Sequence, residues 1–276
     1  MKLYISADME GTAAVCSWEQ CDPGNLTEYP YYRHLMSLEV RAAIEGARAA
    51  GVTEVLVNDS HSTMRNILWN ELPQDVRMIY GSRKPFSMTQ GLSPEFSAAF
   101  FTGYHAPAGE RDGTLEHTYT PSTIYDVRVN GTRCSEATLN AALAGTYGVP
   151  VVLITGDQTT VGFAKSQMPW VTGVVVKDAI GKFGVDSMSP EAARSAIRNG
   201  AADAVRRVKE AKPFTFDPPL SLEIDFVLTE QADFVELMPG FERVDGRTVR
   251  FSHDDFPSLF RAFVAAFRLG SAANVK

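Results

Sequence analysis

Two short apolar runs separated by one helical repeat set the strongest limit on how this chain folds. Leu3-Tyr4-Ile5-Ser6-Ala7 reads as a strand over residues 2–7 that stops at Asp8-Met9-Glu10-Gly11, and Glu54-Val55-Leu56-Val57-Asn58 reads as a second. Between them, from about Tyr31 to Ala50, apolar residues fall at Met36, Val40, Ala43, Ile44 and Ala47, with Gly51 where a helix would end. Strand, helix, strand over this length is a βαβ unit, which sets its strands parallel and joins them by a right-handed crossover. A loop punctuated by Cys21-Asp22-Pro23-Gly24 precedes the helix.

Further along, the elements change character. Ala98–Thr102 is another apolar strand, ending at Gly103-Tyr104-His105. Ile124 to Val129 alternates, and Asn130-Gly131 is a hairpin signal. Ser135 to Tyr147 reads as a helix closed by Gly148, and after Pro150 comes the strand Val151-Val152-Leu153-Ile154. Ser189-Pro190-Glu191 opens a helix to about Ala211 with a cap, a proline at the first position and an early acid. A strand near 221–228, a hairpin around Val244-Asp245-Gly246 and a helix from about Pro257 complete the chain. Phe256, Phe260, Phe263 and Phe267 form a stripe that such a helix buries in a core or a subunit interface. The expected fold is α/β: a three-layer α/β/α arrangement with a largely parallel central sheet, plus a smaller α+β subdomain. No repeat, low-complexity stretch or linker divides residues 1–276, so the chain reads as one unit, or as two interleaved subdomains.

Composition narrows the function. The formal net charge is −7 with no basic run, which argues against nucleic acid, whose phosphates need a Lys/Arg patch. Cys16, Cys21 and Cys134 are odd in number and form no Cys-x-x-Cys pair, as in a reducing compartment. Asp8 comes too early for a signal-peptide apolar core, and no stretch approaches the ~20 apolar residues of a membrane helix. The expectation is a soluble cytoplasmic protein with no membrane partner.

Acids and histidines collect at the strand ends. Asp8 and Glu10 are two apart, so on an extended segment both point to one face, at the carboxyl edge where open α/β sheets bind ligands. His61 follows the second strand in Asn58-Asp59-Ser60-His61-Ser62, and His105 ends the third. Asp59 fits a turn former. His34, inside the first helix, and His253, in an acidic turn, are read as ordinary polar residues. His61, His105 and His117 remain as the histidines near strand ends. There is no His-Glu-x-x-His, no Gly-x-Ser-x-Gly, no Gly-x-x-x-x-Gly-Lys-Ser/Thr and no Gly-x-Gly-x-x-Gly. Cys16 and Cys134 lie in no nucleophile context and are read as structural.

Asp8-Met9-Glu10-Gly11, Val57-Asn58-Asp59-Ser60-His61-Ser62, Lys84-Pro85-Phe86-Ser87-Met88 with Gly91-Leu92, and Gly103-Tyr104-His105-Ala106 together resemble the D-aminopeptidase family of metallopeptidases, peptidase family M55, first named as a dipeptide-transport protein. The resemblance continues through Glu136 and Asn140, Gly156-Asp157 and Val176-Lys177-Asp178-Ala179-Ile180-Gly181, over nearly the whole chain. It departs between about Val15 and Pro30, and at Glu116, where the pattern has a small or polar residue. By this resemblance Asp8, Glu10, His61, His105 and Glu136 would hold two zinc ions per chain, with Asp8 bridging, and His117 would be the catalytic histidine. The resemblance implies no substrate-binding residue. It does imply a homodecamer of two stacked five-membered rings, with active sites facing a central channel.

The ligand set makes chemical sense. Two zinc ions roughly 3.5–4 Å apart need a carboxylate able to bridge them. Mixed His and carboxylate ligation suits zinc, and manganese or cobalt could take the same set. A hydrolase of this kind also needs a proton-transfer group, for which His117 is the candidate, as general base or as nucleophile. The expected function is a dinuclear zinc aminopeptidase acting on short peptides such as D-Ala-D-Ala. The alternatives are a dipeptide-binding or transport-associated module, or a dinuclear metallohydrolase of another amide.

Overall fold

The computed structural model describes residues 1–273. In chain order come β1 (Lys2–Ala7), α1 (Trp18–Cys21), α2 (Tyr29–Ala49), β2 (Glu54–Asp59), β3 (Arg77–Ile79), β4 (Ala98–Thr102), β5 (Ile124–Val129) and β6 (Thr132–Arg133). Then follow α3 (Glu136–Thr146), β7 (Val151–Asp157), α4 (Gln158–Gln167), β8 (Thr172–Ala179), β9 (Val185–Ser187) and α5 (Pro190–Arg206). β10 (Leu220–Phe226), α6 (Thr229–Glu236), β11 (Phe241–Arg243), β12 (Thr248–His253) and α7 (Phe256–Ala272) close the chain.

The larger sheet has the order β3-β2-β1-β4-β7-β8-β9, parallel except for β9. Its central strands are apolar on both faces because helices cover both, so β7 is buried at every residue. On one face, Val40, Ala43 and Ile44 of α2 and Ile197 and Ala201 of α5 pack onto Leu3, Ile5, Val57 and Phe100. On the other, Ala137, Ala141 and Ala144 of α3 and Val161 and Ala164 of α4 pack onto Tyr4, Phe101 and Ile154. This is the expected three-layer α/β/α arrangement.

The smaller sheet is antiparallel, in the order β11-β12-β10-β5-β6. Leu220, Leu222, Ile224 and Phe226 alternate inward along β10, the period of a strand with one wet face. They meet Phe256, Phe260, Phe263 and Phe267 of α7, so the aromatic stripe is core. Leu139, Ala142 and Leu143 of α3 belong to this second core while its alanines serve the first. α3 is thus the layer shared between the sheets.

The topology selects one edge. β1 lies between β2 and β4, and the chain leaves it first to one side and later to the other. At such a switch point the crevice beyond the strands' carboxyl ends is open to side chains from both directions.

Candidate metal centre

Register brings the predicted residues to that edge. Ala7 pairs with Asp59 on one side and Thr102 on the other, so three adjacent strands end level. Backbone bonds continue past the ends: Asp8 N–H donates to Thr102 O at 2.8 Å, Ser60 N–H to Ala7 O at 2.8 Å, and Gly11 N–H to Gly103 O at 2.8 Å. Gly103 has φ +67°, and a Cβ there would sit 2.2 Å from Asp8 O. Only glycine lets these chains approach so closely. One expectation is corrected here. Asp8-Met9-Glu10 turns instead of extending, with Thr12 N–H donating to Met9 O at 3.0 Å, and the turn is what brings both carboxylates together.

Six side chains meet in the crevice. His61 Nδ1 lies 3.0 Å from Glu10 Oε2 and 3.4 Å from Asp8 Oδ1. His105 Nε2 lies 3.4 Å from Asp8 Oδ2 and 3.4 Å from Glu136 Oε1. His117 Nε2 is 3.8 Å from Glu136 Oε1. All six are buried. Asp8, Glu10 and His105 form one group of converging ligand atoms, and His105, His117 and Glu136 another. Glu136 comes from the first turn of α3, where Ser135 caps the helix by accepting from Thr138 N–H and the positive helix end favours a carboxylate.

The hydrogen bonds fix which histidine nitrogens are free. His61 Nε2 donates to Cys21 O (2.8 Å), His105 Nδ1 to Ala106 O (3.0 Å) and His117 Nδ1 to Leu115 O (2.9 Å). A carbonyl oxygen only accepts, so each of those nitrogens carries the hydrogen. In the neutral ring the other nitrogen then presents a lone pair, as in metal sites whose histidines are oriented from behind. For His61 and His105 that lone pair faces carboxylate oxygens. Asp8 Oδ2 and His105 Nε2 are buried without a hydrogen-bond partner among the described residues. Lone pairs pointed at lone pairs in a buried site are what a cation satisfies, so the donor set fits a metal.

Protonation tells the same story. Burial disfavours charge on His61, yet Glu10 and then Asp8 hold it well above the usual imidazole range. For His105 burial is likewise outweighed, by Glu136 and Asp8. Burial also opposes the charge on Asp8 and Glu10, but the facing histidines keep both below the usual carboxylate range. His117 goes the other way: burial, then the charge of His105, pull it down.

A polar frame holds these groups. Asp59 is the expected turn former, accepting from Asn66 N–H (2.6 Å) and Ile67 N–H (2.8 Å) beneath the loop that carries His61. Lys177 Nζ donates to the carbonyls of Glu10 (2.6 Å), Thr12 (2.9 Å) and Val15 (2.7 Å). Tyr119 N–H donates to Glu136 Oε1 at 2.5 Å, and its hydroxyl donates to Asn140 Oδ1 at 2.9 Å. Asp157 caps α4 through Thr160 N–H and also accepts from Thr114 N–H (2.7 Å), tying down the loop that bears His117. Glu116, the departure from the family pattern, pairs with Lys182 at 2.8 Å on the same loop. Ala14, Ser62, Met64, Ser87, Leu115 and Tyr119, all in loops around the site, have φ between +43° and +66°. Such strained backbone collects at functional sites.

A cavity of about 490 Å³ opens onto the cluster. Asp8, Glu10, His61, His117 and Glu136 line its inner end, and Trp18, Cys21, Asp22 and Pro23 form a rim, in the stretch that departs from the family pattern. His34 pairs with Glu71 on the surface and His253 accepts from Asp255 N–H, both away from the cavity. Burial pushes the Cys134 thiol up, away from reactivity. Sequence reasoning gave no role to Lys177, Tyr119, Ser87 or Arg268. For Lys177 a signal existed, since a lysine directly after the apolar run Val174-Val175-Val176 must find partners if buried.

Comparison with known proteins places the chain in a family. The sequence profile of peptidase family M55, described as D-aminopeptidase, matches residues 1–265. A protein named D-aminopeptidase from Bacillus subtilis (strain 168) is 37% identical over 273 residues, covering 98% of this chain and 97% of that one. The solved structure of the Zn-dependent D-aminopeptidase DppA from Bacillus subtilis, described as a self-compartmentalizing protease, superposes with a TM-score of 0.96 at 34% identity, covering 100% of both chains.

Proposed function

This chain belongs to the D-aminopeptidase family of peptidases, and from that premise we propose that it is a zinc-dependent aminopeptidase removing the N-terminal residue, in the D configuration, from short peptides. The single observation that carries the reading is the set of imidazole nitrogens and carboxylate oxygens converging, buried, at the switch point, with His105 Nε2 3.4 Å from Asp8 Oδ2 and neither in a hydrogen bond among the described residues. Asp8, Glu10, His61, His105 and Glu136 are the residues that would hold two zinc ions, and Asp8 is the carboxylate that would serve both. In support, the two Asp8 oxygens face different histidines, Oδ1 toward His61 and Oδ2 toward His105.

Zinc held there supplies Lewis-acid polarisation of the scissile carbonyl and charge stabilisation on its oxygen. The remaining chemistry falls to this chain's own groups. His117 is the proton carrier: its Nδ1 hydrogen is committed to Leu115 O, and its Nε2 lone pair stands at the cavity wall. Burial and His105 keep it neutral near pH 7, the form that can take a proton from an attacking water and return it to the leaving amine. Its Nε2 is farther from Glu136 (3.8 Å) than His105 Nε2 is (3.4 Å), which favours proton transfer over ligation. Trp18 stands edge-on to His117 in the cavity lining, ring centroids 5.4 Å apart.

Among the described residues no helix is long and apolar enough to cross a membrane, and we place the enzyme in the cytoplasm, where its three free thiols stay reduced. We further read the two sheets as one catalytic unit, because α3 serves both cores, and the assembly as a homodecamer enclosing its active sites. The deciding experiment is the metal content of the purified protein, paired with hydrolysis of D- and L-aminoacyl amides before and after chelation. About two zinc equivalents per chain, with chelator-sensitive release of the amine favouring the D form, is expected. Protein that neither holds nor is activated by zinc, manganese or cobalt would overturn the reading.

A further inference from the structure

The cavity carries four carboxylates in its lining, Asp8, Glu10, Asp22 and Glu136, and a single Lys or Arg side chain, Arg268. Arg268 lies near the end of α7 with its guanidinium carbon 4.9 Å from the Phe267 ring centroid. Its residue is solvent-exposed, it has no carboxylate partner among the described residues, and the nearby Arg83 repels it. A cation in that situation is arranged for an anion that arrives from outside. Ser87 adds an independent sign. The residue lines the same cavity and is 2% exposed, and its buried hydroxyl has no hydrogen-bond partner among the described residues. The backbone there is held at φ +43°, a left-handed conformation unusual for serine. Ser87 and Arg268 both line the cavity, and the segment bearing Ser87 packs on α7, with Phe86 stacked on Phe260 at 6.4 Å and the Arg261 guanidinium 6.0 Å from the Phe86 ring.

A short peptide whose scissile carbonyl sits at the acidic cluster carries one anion of its own, the carboxylate of its last residue. Asp8, Glu10 and Glu136 would be taken up by the zinc ions, which leaves Arg268 as the one Lys or Arg side chain in the lining able to receive that carboxylate. A volume of about 490 Å³ is in the range of pockets that enclose small ligands, so that carboxylate stays inside the cavity. We propose that Arg268 binds the free C-terminal carboxylate of the substrate, with Ser87 Oγ donating to the same end of the peptide, and so makes the enzyme selective for di- and tripeptides over aminoacyl amides and esters. The proposal rests on the peptidase reading above and adds to it which peptides are taken.

The test compares D-alanyl-D-alanine with D-alanyl-D-alaninamide, which differs only in lacking the charge, on zinc-loaded wild type, Arg268→Gln and Arg268→Lys. Wild type should prefer the acid, chiefly through KM. In Arg268→Gln the acid-to-amide ratio of kcat/KM should fall roughly ten- to hundredfold, as for loss of one charge-assisted hydrogen bond. Arg268→Lys should recover part of it. Zinc content and Tm equal to wild type show that the variants are folded. An acid-to-amide ratio that is the same in Arg268→Gln as in wild type overturns the proposal while leaving the peptidase reading intact. Cleavage of neither compound by zinc-loaded wild type overturns the peptidase reading, and this proposal with it.

Discussion

His105 and His117 lie face to face, ring centroids 3.9 Å apart and planes 11° from parallel, each with Nδ1 donating to a backbone carbonyl. Two imidazoles at that distance in a buried site cannot both carry charge. The one facing Asp8 and Glu136 is held up and the other is pushed down. Their roles therefore separate. His61→Ala and His105→Ala should lose zinc and activity together. His117→Ala should retain zinc while kcat falls about 10²–10⁴-fold, the usual worth of general acid–base catalysis. Zinc content by elemental analysis beside kcat checks this, and near-normal turnover in His117→Ala would remove it from the mechanism.

Zinc uptake should release protons. Without metal, His61 and His105 sit above the usual imidazole range, so near pH 7 both are charged. A ligand nitrogen must be neutral, and raising the pH therefore strengthens zinc binding. Calorimetric titration of the wild type in buffers of different ionisation enthalpy should show proton release near pH 7 that shrinks as the pH rises. Release that does not vary with pH contradicts the assignment.

Lys177 acts as a tripod. Its three bonds hold the chain from Glu10 to Val15, the segment that carries one ligand and leads to the rim. Lys177→Met keeps the volume and leaves three carbonyls without their donor. We expect a loss of about 2–4 kcal/mol in stability, together with weaker retention of zinc. Urea unfolding and a competition titration with a chelator measure the two effects. Unchanged zinc affinity in a destabilised variant would restrict Lys177 to a purely structural role.

Glu39 gives a pH signature remote from catalysis. It is fully buried on α2, and burial raises it to about 7, partly offset by the N–H of Ala13 and by Lys177. The folded state thus prefers the protonated acid relative to the unfolded chain, whose value is 4.5. The stability this lends is complete below pH 4.5, declines as pH rises from there, and is gone above about 7. Glu39→Gln still accepts from Ala13 and never ionises. In chelator, it should match wild type near pH 5 and exceed it at pH 8 by on the order of 1–3 kcal/mol. Equal stability at both pH values would show that Glu39 is not destabilised by ionising.

The sequence exposed the elements whose physics is local. β1, β2, β4 and β7 are continuous apolar runs because both faces of their sheet are covered, and α7 shows its stripe because one face is core. α4 was missed because only Thr160, Val161 and Ala164 of it are buried, too few to set a period. β8 was hidden by Gly173 and Lys177, a gap and a charge inside a strand, whose reasons lie in α4 and in the Glu10–Val15 turn. The five proposed metal ligands and His117 stand out as acids and histidines at strand ends or through family resemblance, which also takes in Ser87 without giving it a role. Tyr119 and Arg268 carry no such signal, since each gains meaning only from a neighbour distant along the chain.

The sharing of α3 between two cores has a consequence for how the chain is made. Asp8, Glu10, His61 and His105 emerge from the larger sheet, whereas Glu136 rides on a helix whose other side is sealed by the smaller one. A nascent or truncated chain in which only one half has condensed would hold an incomplete set of donors and little affinity for the ion. On the proposed ligand set, catalytic competence waits on completed folding: the donor set is whole only after both halves have closed on the same helix.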